Sequence, residues 1–234
     1  MSNEIAVLMA AGLGQRMRPL TETMPKPLVP VLGKPMIETV IDALKYRGVS
    51  SIYVVCGYRG EQLKYLSSKY PGVVIVENKE YMSVNNISSI RAVCDVLGDA
   101  DCFICEADLY MPDPSVLSGT HAKSCYYGKM VPGHSDDWVF DQDADGRITR
   151  VGKGGDDCYN MCGISFFLKD DAKKIADAVV ARYEKPGYKE LFWDEVVDSI
   201  LPELDLTVYP IEPGSIVEID TVDELKEVES RFGK

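Results

Sequence analysis

The sequence predicts an α/β fold in which a mainly parallel or mixed sheet is flanked by helices and carries a small β-rich insertion. Two observations lead there. In the first half, short apolar runs at Ile5–Met9, Ser51–Cys56, Val73–Val76 and Cys102–Ala107 alternate with helical segments, which is the rhythm of βαβ units. After Asp108 the rhythm changes: Ser124–Met130, Trp138–Gln142, Arg147–Val151 and Asn160–Leu168 are strand-like with little helix between them. The 234 residues, 46% of them hydrophobic, suffice for one large domain with a substantial core.

Each element has a local reason. Ile5-Ala-Val-Leu-Met9 is continuously apolar and reads as a buried strand. It stops at Gly12 and Gly14, where the backbone can turn tightly. Leu28–Val31 reads as a short extended piece. Pro35 suits the first turn of a helix to about Tyr46, with Met36, Val40, Ala43 and Leu44 at helical spacing and Gly48 closing it. Gly57 and Gly60 flank a turn into a helix around Gln62–Ser68. Asn85 and Asn86 precede a helix from Ile87 to Leu97, closed by Gly98. Asp143-Ala-Asp-Gly146 reads as a hairpin turn. Helices at Asp170–Tyr183 and Phe192–Leu201 come next, then extended runs at Thr207–Ile211 and Ile216–Ile219. Thr221 with Glu224 reads as the capping box of a last helix, Val222–Phe232.

Bulk properties narrow the function. A net charge of −12 and a pI near 4.7 argue against nucleic acid or an anionic membrane as partner, because phosphate backbones attract basic faces. No apolar run approaches the ~18 residues of a membrane span. Met1-Ser-Asn-Glu4 lacks the basic and apolar regions of a secretion leader, and seven cysteines, an odd number, suit a reducing cytoplasm. Cys102 and Cys105 have half a zinc-knuckle spacing but sit in an apolar run with no second Cys-x-x-Cys, so buried thiols are expected. Asp141-x-Asp-x-Asp-Gly146 fits the first six positions of a calcium loop, but Gly152 stands where the bidentate Glu is required.

The chemistry centres on Leu8-Met-Ala-Ala-Gly-Leu-Gly-Gln-Arg-Met-Arg-Pro19 and Pro25-Lys26-Pro27. A strand, a Gly-x-Gly loop and the cations Arg16, Arg18 and Lys26 together suit a polyphosphate. The stretch lacks the Gly-Lys-Ser/Thr of a P-loop, and Met17 stands where a dinucleotide fingerprint needs a third Gly or Ala. Asp108 and Asp220 each end an apolar strand run. Either alone reads equally as a cap or turn former; near one phosphate loop they suggest a pair that holds a divalent metal, since Mg²⁺ favours one or two carboxylates plus phosphate oxygens. In α/β sheets, ligands gather outside the carboxyl ends of the strands, where the loop and Asp108 lie.

This signature resembles that of the nucleotidyltransferases that make nucleotide-sugars and CDP-alcohols, whose fold is Rossmann-like (nucleotide-diphospho-sugar transferase-like). With Asn85-Asn86-Ile-Ser88, Glu106-Ala-Asp108, Trp138, Leu191-Phe-Trp-Asp194 and Glu218-Ile-Asp220, the chain is similar along almost its whole length to the bacterial CTP:phosphocholine cytidylyltransferases. The resemblance implies a nucleotide-binding part over residues 1–112 and an acceptor-binding part over 113–234, with Asp220 returning to the metal site. It implies that Leu8, Ala10, Ala11, Gly12, Gly14, Arg16 and Lys26 bind the nucleotide and its triphosphate. Asn85, Asn86 and Ser88 would sit near cytosine and ribose, although a double-Asn helix cap is the competing reading. Asp108 and Asp220 would hold Mg²⁺, and Arg16, Lys26, Asp108 and Asp220 would carry catalysis. Lys153 would approach the α-phosphate or the acceptor phosphate; an exposed strand-end lysine reads equally well.

The acceptor is less constrained. A quaternary ammonium is held by aromatic faces and nearby carboxylates. The two tryptophans, Trp138 and Trp193, both adjoin acids: Asp136 and Asp137, and Asp194 and Glu195. Core aromatics beside solvated acids are the plain alternative. A primary amine suits the same acids, so the expected partners are CTP and phosphocholine, or else phosphoethanolamine or 2-aminoethylphosphonate. A sugar-1-phosphate nucleotidyltransferase and a non-catalytic nucleotide-sensing relative are the other readings. Oligomeric state is not readable from the sequence.

Overall fold

A computed structural model describes residues 4–233; Met1–Asn3, on which the expectation of no leader partly rests, lie outside them. The elements run in chain order as β1 (Glu4–Ala10), β2 (Pro30–Val31), β3 (Lys34–Pro35), α1 (Met36–Arg47), β4 (Ser51–Cys56), α2 (Tyr65–Lys69), β5 (Val73–Glu77), α3 (Ile87–Arg91), β6 (Asp101–Glu106), β7 (Leu109–Tyr110), β8 (Ser124–Gln142), β9 (Ile148–Phe167), α4 (Lys169–Tyr183), α5 (Trp193–Ser199), β10 (Leu206–Pro210), β11 (Val217–Glu218) and α6 (Val222–Phe232).

Seven strands form one sheet in the order β10-β8-β9-β6-β1-β4-β5. The pairs β1·β4, β1·β6, β4·β5 and β10·β8 are parallel; β9 runs antiparallel to β6 and β8. The expected mixed, mainly parallel sheet is therefore present. Its strands alternate side chains between two apolar faces. Val7, Ile104 and Phe167 pack on one side against α3, α4 and α5. Leu8, Phe103 and Phe166 pack on the other against α1. The chain moves from β1 outward to β4 and β5, then returns to place β6 on the opposite side of β1. The carboxyl ends of β1 and β6 thus flank the point where strand order reverses, the usual ligand crevice of such sheets.

A two-stranded ladder then completes the site. β11 pairs antiparallel with β7, placing Glu218 opposite Leu109 and Val217 opposite Tyr110, and the Ile219 N–H donates to the Asp108 carbonyl at 3.2 Å. A small apolar cluster around Met17, Ile219 and Val228 fixes this ladder and α6 beside the glycine loop. α6 has the expected bounds, and Thr221 and Glu224 form the reciprocal capping box.

Three local expectations change. The four strand-like runs after Asp108 are two long bent arms, β8 and β9. Their pairing continues through the breaks, with Ser135 opposite Gly155 and Trp138 opposite Lys153. Gly133 and Gly154 take the left-handed φ that the bends require. Helix α3 stops at Arg91 and not at Leu97, because i→i+3 bonds such as Val96 N to Val93 O tighten the chain beyond Arg91. Lys26–Leu28 is a 3₁₀ turn, leaving only Pro30–Val31 extended.

The hairpin turn is as expected, with Gly146 at positive φ and the Asp143 carboxylate accepting from the Asp145 and Arg147 N–H groups. Those bonds occupy the loop that mimics a calcium site. Cys102 and Cys105 are buried thiols. Among the described residues, no helix is long and apolar enough to cross a membrane.

Candidate active site

A cavity of about 690 Å³ opens at the carboxyl ends of β1 and β6. The glycine loop forms its first wall. Gly14 adopts φ +60°, and a Cβ there would lie 2.8 Å from the Lys26 Cβ, so only glycine lets the loop close over the Lys26 stem. A Cβ on Gly12 would meet no protein atom; that backbone faces the cavity. Thr21 Oγ1 donates to the Gly14 carbonyl at 2.8 Å and fixes the turn. Among the described residues, no acceptor pairs with the N–H groups of Gly12, Leu13 and Gly14. These are ready donors for an anion.

Beside the loop, Asp108, Glu218 and Asp220 bring carboxylate oxygens within 4.8 Å of one another. The β7·β11 ladder makes this meeting possible. Lys26 Nζ bridges two of the acids, 2.5 Å from Asp108 Oδ2 and 2.6 Å from Asp220 Oδ1, and the exposed Arg16 reaches Asp220 Oδ1 at 2.7 Å. Burial alone would depress the Lys26 ammonium, but the adjacent carboxylates of Asp108 and Asp220 outweigh it and hold its pKa above the ordinary value. Burial likewise opposes ionisation of Asp220, and Lys26 and Arg16 overcome it, leaving its pKa lowered. Glu218 is exposed and faces the cavity, where the protein walls take part of its carboxyl's hydration. That desolvation, then the charges of Asp108 and Asp220, push its carboxyl up to about 8. Three carboxylates with oxygens this close are a donor set whose chemistry suits a hard divalent cation.

Another part of the cavity lining is aromatic and acidic. Trp138 and Phe192 meet edge to face at 5.5 Å. Asp194, only 3% exposed, lines the same cavity. Its Oδ1 accepts from the Tyr126 hydroxyl at 3.1 Å. Burial raises its pKa to about 7 even though the Tyr126 bond pulls the other way. Asp137 accepts from Asn160 Nδ2 at 3.1 Å. Lys129 and Lys153 also line the cavity.

The cavity gathers Ala10, Gly12, Gly14, Arg16, Lys26, Asn86, Asp108, Trp138, Lys153, Asp194 and Asp220 of the expected residues. Others fall outside it. Leu8 is fully buried in the sheet and Ala11 is nearly so; their side chains serve the core. Asn85 donates its Nδ2 to the Glu190 carbonyl and its N–H to the Lys189 carbonyl. Ser88 Oγ donates to the Asn85 carbonyl and accepts from Asn78. Both side chains are thus engaged by protein, and Asn85 stitches the α3 entry to the segment that carries Phe192. Asn86 shares that role, its Oδ1 accepting from the Trp193 N–H at 2.9 Å, but it reaches the cavity.

Trp193 does not line the cavity. It is 3% exposed and packs in the core on Tyr126 and Phe167. The first turn of α5 sends adjacent residues in different directions, so Phe192 and Asp194 face the cavity while Trp193 faces the sheet. Arg18 is exposed and outside the cavity.

Glu106, Lys129, Phe192 and Glu218 are among the lining residues left without a role by the sequence. For two a signal existed. Glu106-Ala-Asp108 and Glu218-Ile-Asp220 share Glu-x-Asp spacing, and extended backbone places such residues on one face. Glu106 lines the cavity floor, and burial, then Asp108, Glu218 and Asp194, raise its carboxyl pKa well above the usual range.

Comparison with known proteins gives this geometry a family. Over 94% of its length the chain is 52% identical to the 2-aminoethylphosphonate cytidylyltransferase of Lancefieldella rimae, covering 89% of that protein. It is 33% identical to the choline-phosphate cytidylyltransferase of Streptococcus pneumoniae over 96% of both chains. The solved structure of CTP:phosphocholine cytidylyltransferase from Streptococcus pneumoniae superposes with a TM-score of 0.90 at 32% identity, covering 98% of this chain and 99% of that one. Residues 6–149 match the MobA-like NTP transferase domain, and the chain belongs to that family of nucleotidyltransferases.

Proposed function

We propose that the protein transfers a cytidylyl group from CTP to 2-aminoethylphosphonate, releasing pyrophosphate. The observation that carries the reading is that one cavity is lined both by the glycine loop with the carboxylate triad and by an aromatic and carboxylate wall. The first set suits a nucleoside triphosphate and the second a small zwitterion. The 52% identity to a 2-aminoethylphosphonate cytidylyltransferase favours a primary-amine phosphonate as acceptor.

The chemistry is governed by charge. A phosphonate oxygen of the acceptor attacks the α-phosphorus, a new P–O bond forms, and the bond to the bridging oxygen of pyrophosphate breaks in line. The attacking oxygen is already anionic near neutral pH, so no general base is required. The protein's work is to position the partners and neutralise charge. The N–H groups of Gly12, Leu13 and Gly14, with Arg16 and Lys26, bind the triphosphate and stabilise the departing pyrophosphate. Asn86 contacts the nucleoside. Asp108, Glu218 and Asp220 would hold Mg²⁺, which when bound neutralises phosphate oxygens around the reacting phosphorus. Nucleotide binding draws Lys26 and Arg16 from the carboxylates towards phosphate.

The test is pyrophosphate release from CTP with Mg²⁺ and each of 2-aminoethylphosphonate, phosphocholine, phosphoethanolamine and a sugar 1-phosphate. Release is expected to be fastest with 2-aminoethylphosphonate. Phosphocholine is the second reading, favoured by the 0.90 TM-score to a phosphocholine enzyme. Release with the sugar phosphate alone, or with none of the four, would overturn the proposal.

A further inference from the structure

Lys153 occupies a position that its charge makes consequential. It is the direct cross-strand partner of Trp138 between β8 and β9. Its Nζ lies 5.8 Å from the centroid of the Trp138 ring and 5.5 Å from that of Phe192. Its backbone is pinned: the Arg150 guanidinium donates to the carbonyls of Lys153 and Gly154 and is itself clasped by both oxygens of Asp141. Among the described residues, Lys153 forms no ion pair, although Asp136, Asp137 and Asp194 line the same cavity. The ammonium lies over the rings and pairs with none of these carboxylates, of which Asp136 faces His134, Asp137 accepts from Asn160 and Asp194 from Tyr126, each through one oxygen.

Those ring faces are what a quaternary ammonium needs, because it has no N–H to donate and is held by π-faces and charge alone. Here a resident cation already holds them, and a second cation on the same faces meets like-charge repulsion. A primary ammonium has another course. Its three N–H donors suit carboxylate oxygens, and Asp194, buried and fixed through one oxygen by Tyr126, presents such a group in the same cavity. We infer that Lys153 is a specificity-determining residue, covering the Trp138–Phe192 wall so that quaternary amines are turned away and primary amines are directed to the carboxylates. Selectivity here includes a repulsive element built against the wrong acceptor. The inference rests on the cytidylyltransferase reading and names the acceptor class within it.

The experiment compares the wild type with Lys153→Met, which keeps the length and removes the charge, and Lys153→Arg, which keeps a stacking cation. kcat/KM is measured with CTP and Mg²⁺ for 2-aminoethylphosphonate and for phosphocholine, and calorimetric titration measures binding of both acceptors to each protein. Lys153→Met should lower the preference for 2-aminoethylphosphonate by about tenfold, chiefly through tighter phosphocholine binding, and Lys153→Arg should retain the preference. An equal loss for both acceptors in Lys153→Met would make Lys153 a phosphate ligand and overturn the inference, as would a wild type that prefers phosphocholine. If no protein turns over either acceptor, the cytidylyltransferase reading fails, while the binding preference still decides the role of Lys153. Thermal melts confirm that the variants are folded.

Discussion

Lys26 Nζ and Asp108 Oδ2 lie 2.5 Å apart across 82 positions of sequence, and the same ammonium reaches Asp220. Lys26 thus neutralises two members of the carboxylate triad. Lys26→Met should leave Asp108, Glu218 and Asp220 facing one another with only the exposed Arg16, on Asp220, as a cation. The expected outcome is a loss of ~100-fold or more in pyrophosphate release and a loss of about 2–4 kcal/mol in stability without metal. Millimolar Mg²⁺, held by the folded triad as proposed, should recover part of the stability. Melts with and without Mg²⁺ check this; a variant as stable as wild type without metal would contradict it.

The two tryptophans should behave oppositely. Trp193 is core, stacked on Tyr126 with ring centroids 6.0 Å apart. Trp193→Ala should cost about 3–5 kcal/mol through the cavity it leaves. Trp193→Phe should be far milder, since the buried Nε1 has no hydrogen-bond partner to lose. Trp138 is half-buried at the cavity wall. Trp138→Ala should change stability by only about 1 kcal/mol and raise the acceptor KM. Urea unfolding and acceptor kinetics on the same three variants separate the roles.

Acceptor binding should depend on pH through Asp194, which lines the cavity. Burial raises its pKa to about 7, so below that pH it carries a proton and no charge, and above it the carboxylate attracts an ammonium. The KM for 2-aminoethylphosphonate should therefore fall as pH rises from 6 to 8, by up to about tenfold. Ionisation of the phosphonate contributes in the same range, so the diagnostic quantity is the difference from Asp194→Asn. That variant should show a higher KM with a flatter profile. Parallel profiles in the two proteins would remove Asp194 from acceptor binding.

What the sequence made legible was local chemistry. Gly14, Lys26, Asp108 and Asp220 were identifiable because each sits at a strand end or turn whose signal spans a few residues. The bounds of α6 were legible because its capping box is a four-residue pattern. Side-chain direction was not. Trp193 and Phe192 are adjacent, and which one meets the ligand depends on how α5 docks on the sheet. Asn85 and Ser88 looked like ligand groups because their chemistry suits a base, but the Lys189–Glu190 segment and Asn78 satisfy them first. The bent arms escaped notice because Val139 pairs with both Asn160 and Gly152, a register that no periodicity encodes.

Stability should also depend on pH, through a histidine at the opposite end of β1 from the glycine loop. His121 stacks on Phe166 at 4.4 Å and sits 3.3 Å from Arg47 Nη2 and 2.9 Å from the Tyr127 hydroxyl. Arg47 is clasped by both oxygens of Glu4, so its charge stays beside the ring. Burial first, then the Arg47 charge, lower the His121 pKa from 6.5 to about 4. The unfolded chain therefore binds a proton that the folded protein refuses between those values. Stability from this residue is complete above pH 6.5 and is lost as pH falls towards 4, by about 2–3 kcal/mol in total. Urea midpoints at pH 7 and pH 4.5 should differ by less in His121→Gln than in wild type. Turnover at pH 7.5 should be unchanged in that variant, because His121 lies outside the catalytic cavity. Equal pH dependence in the two proteins would assign the acid loss to carboxylates instead.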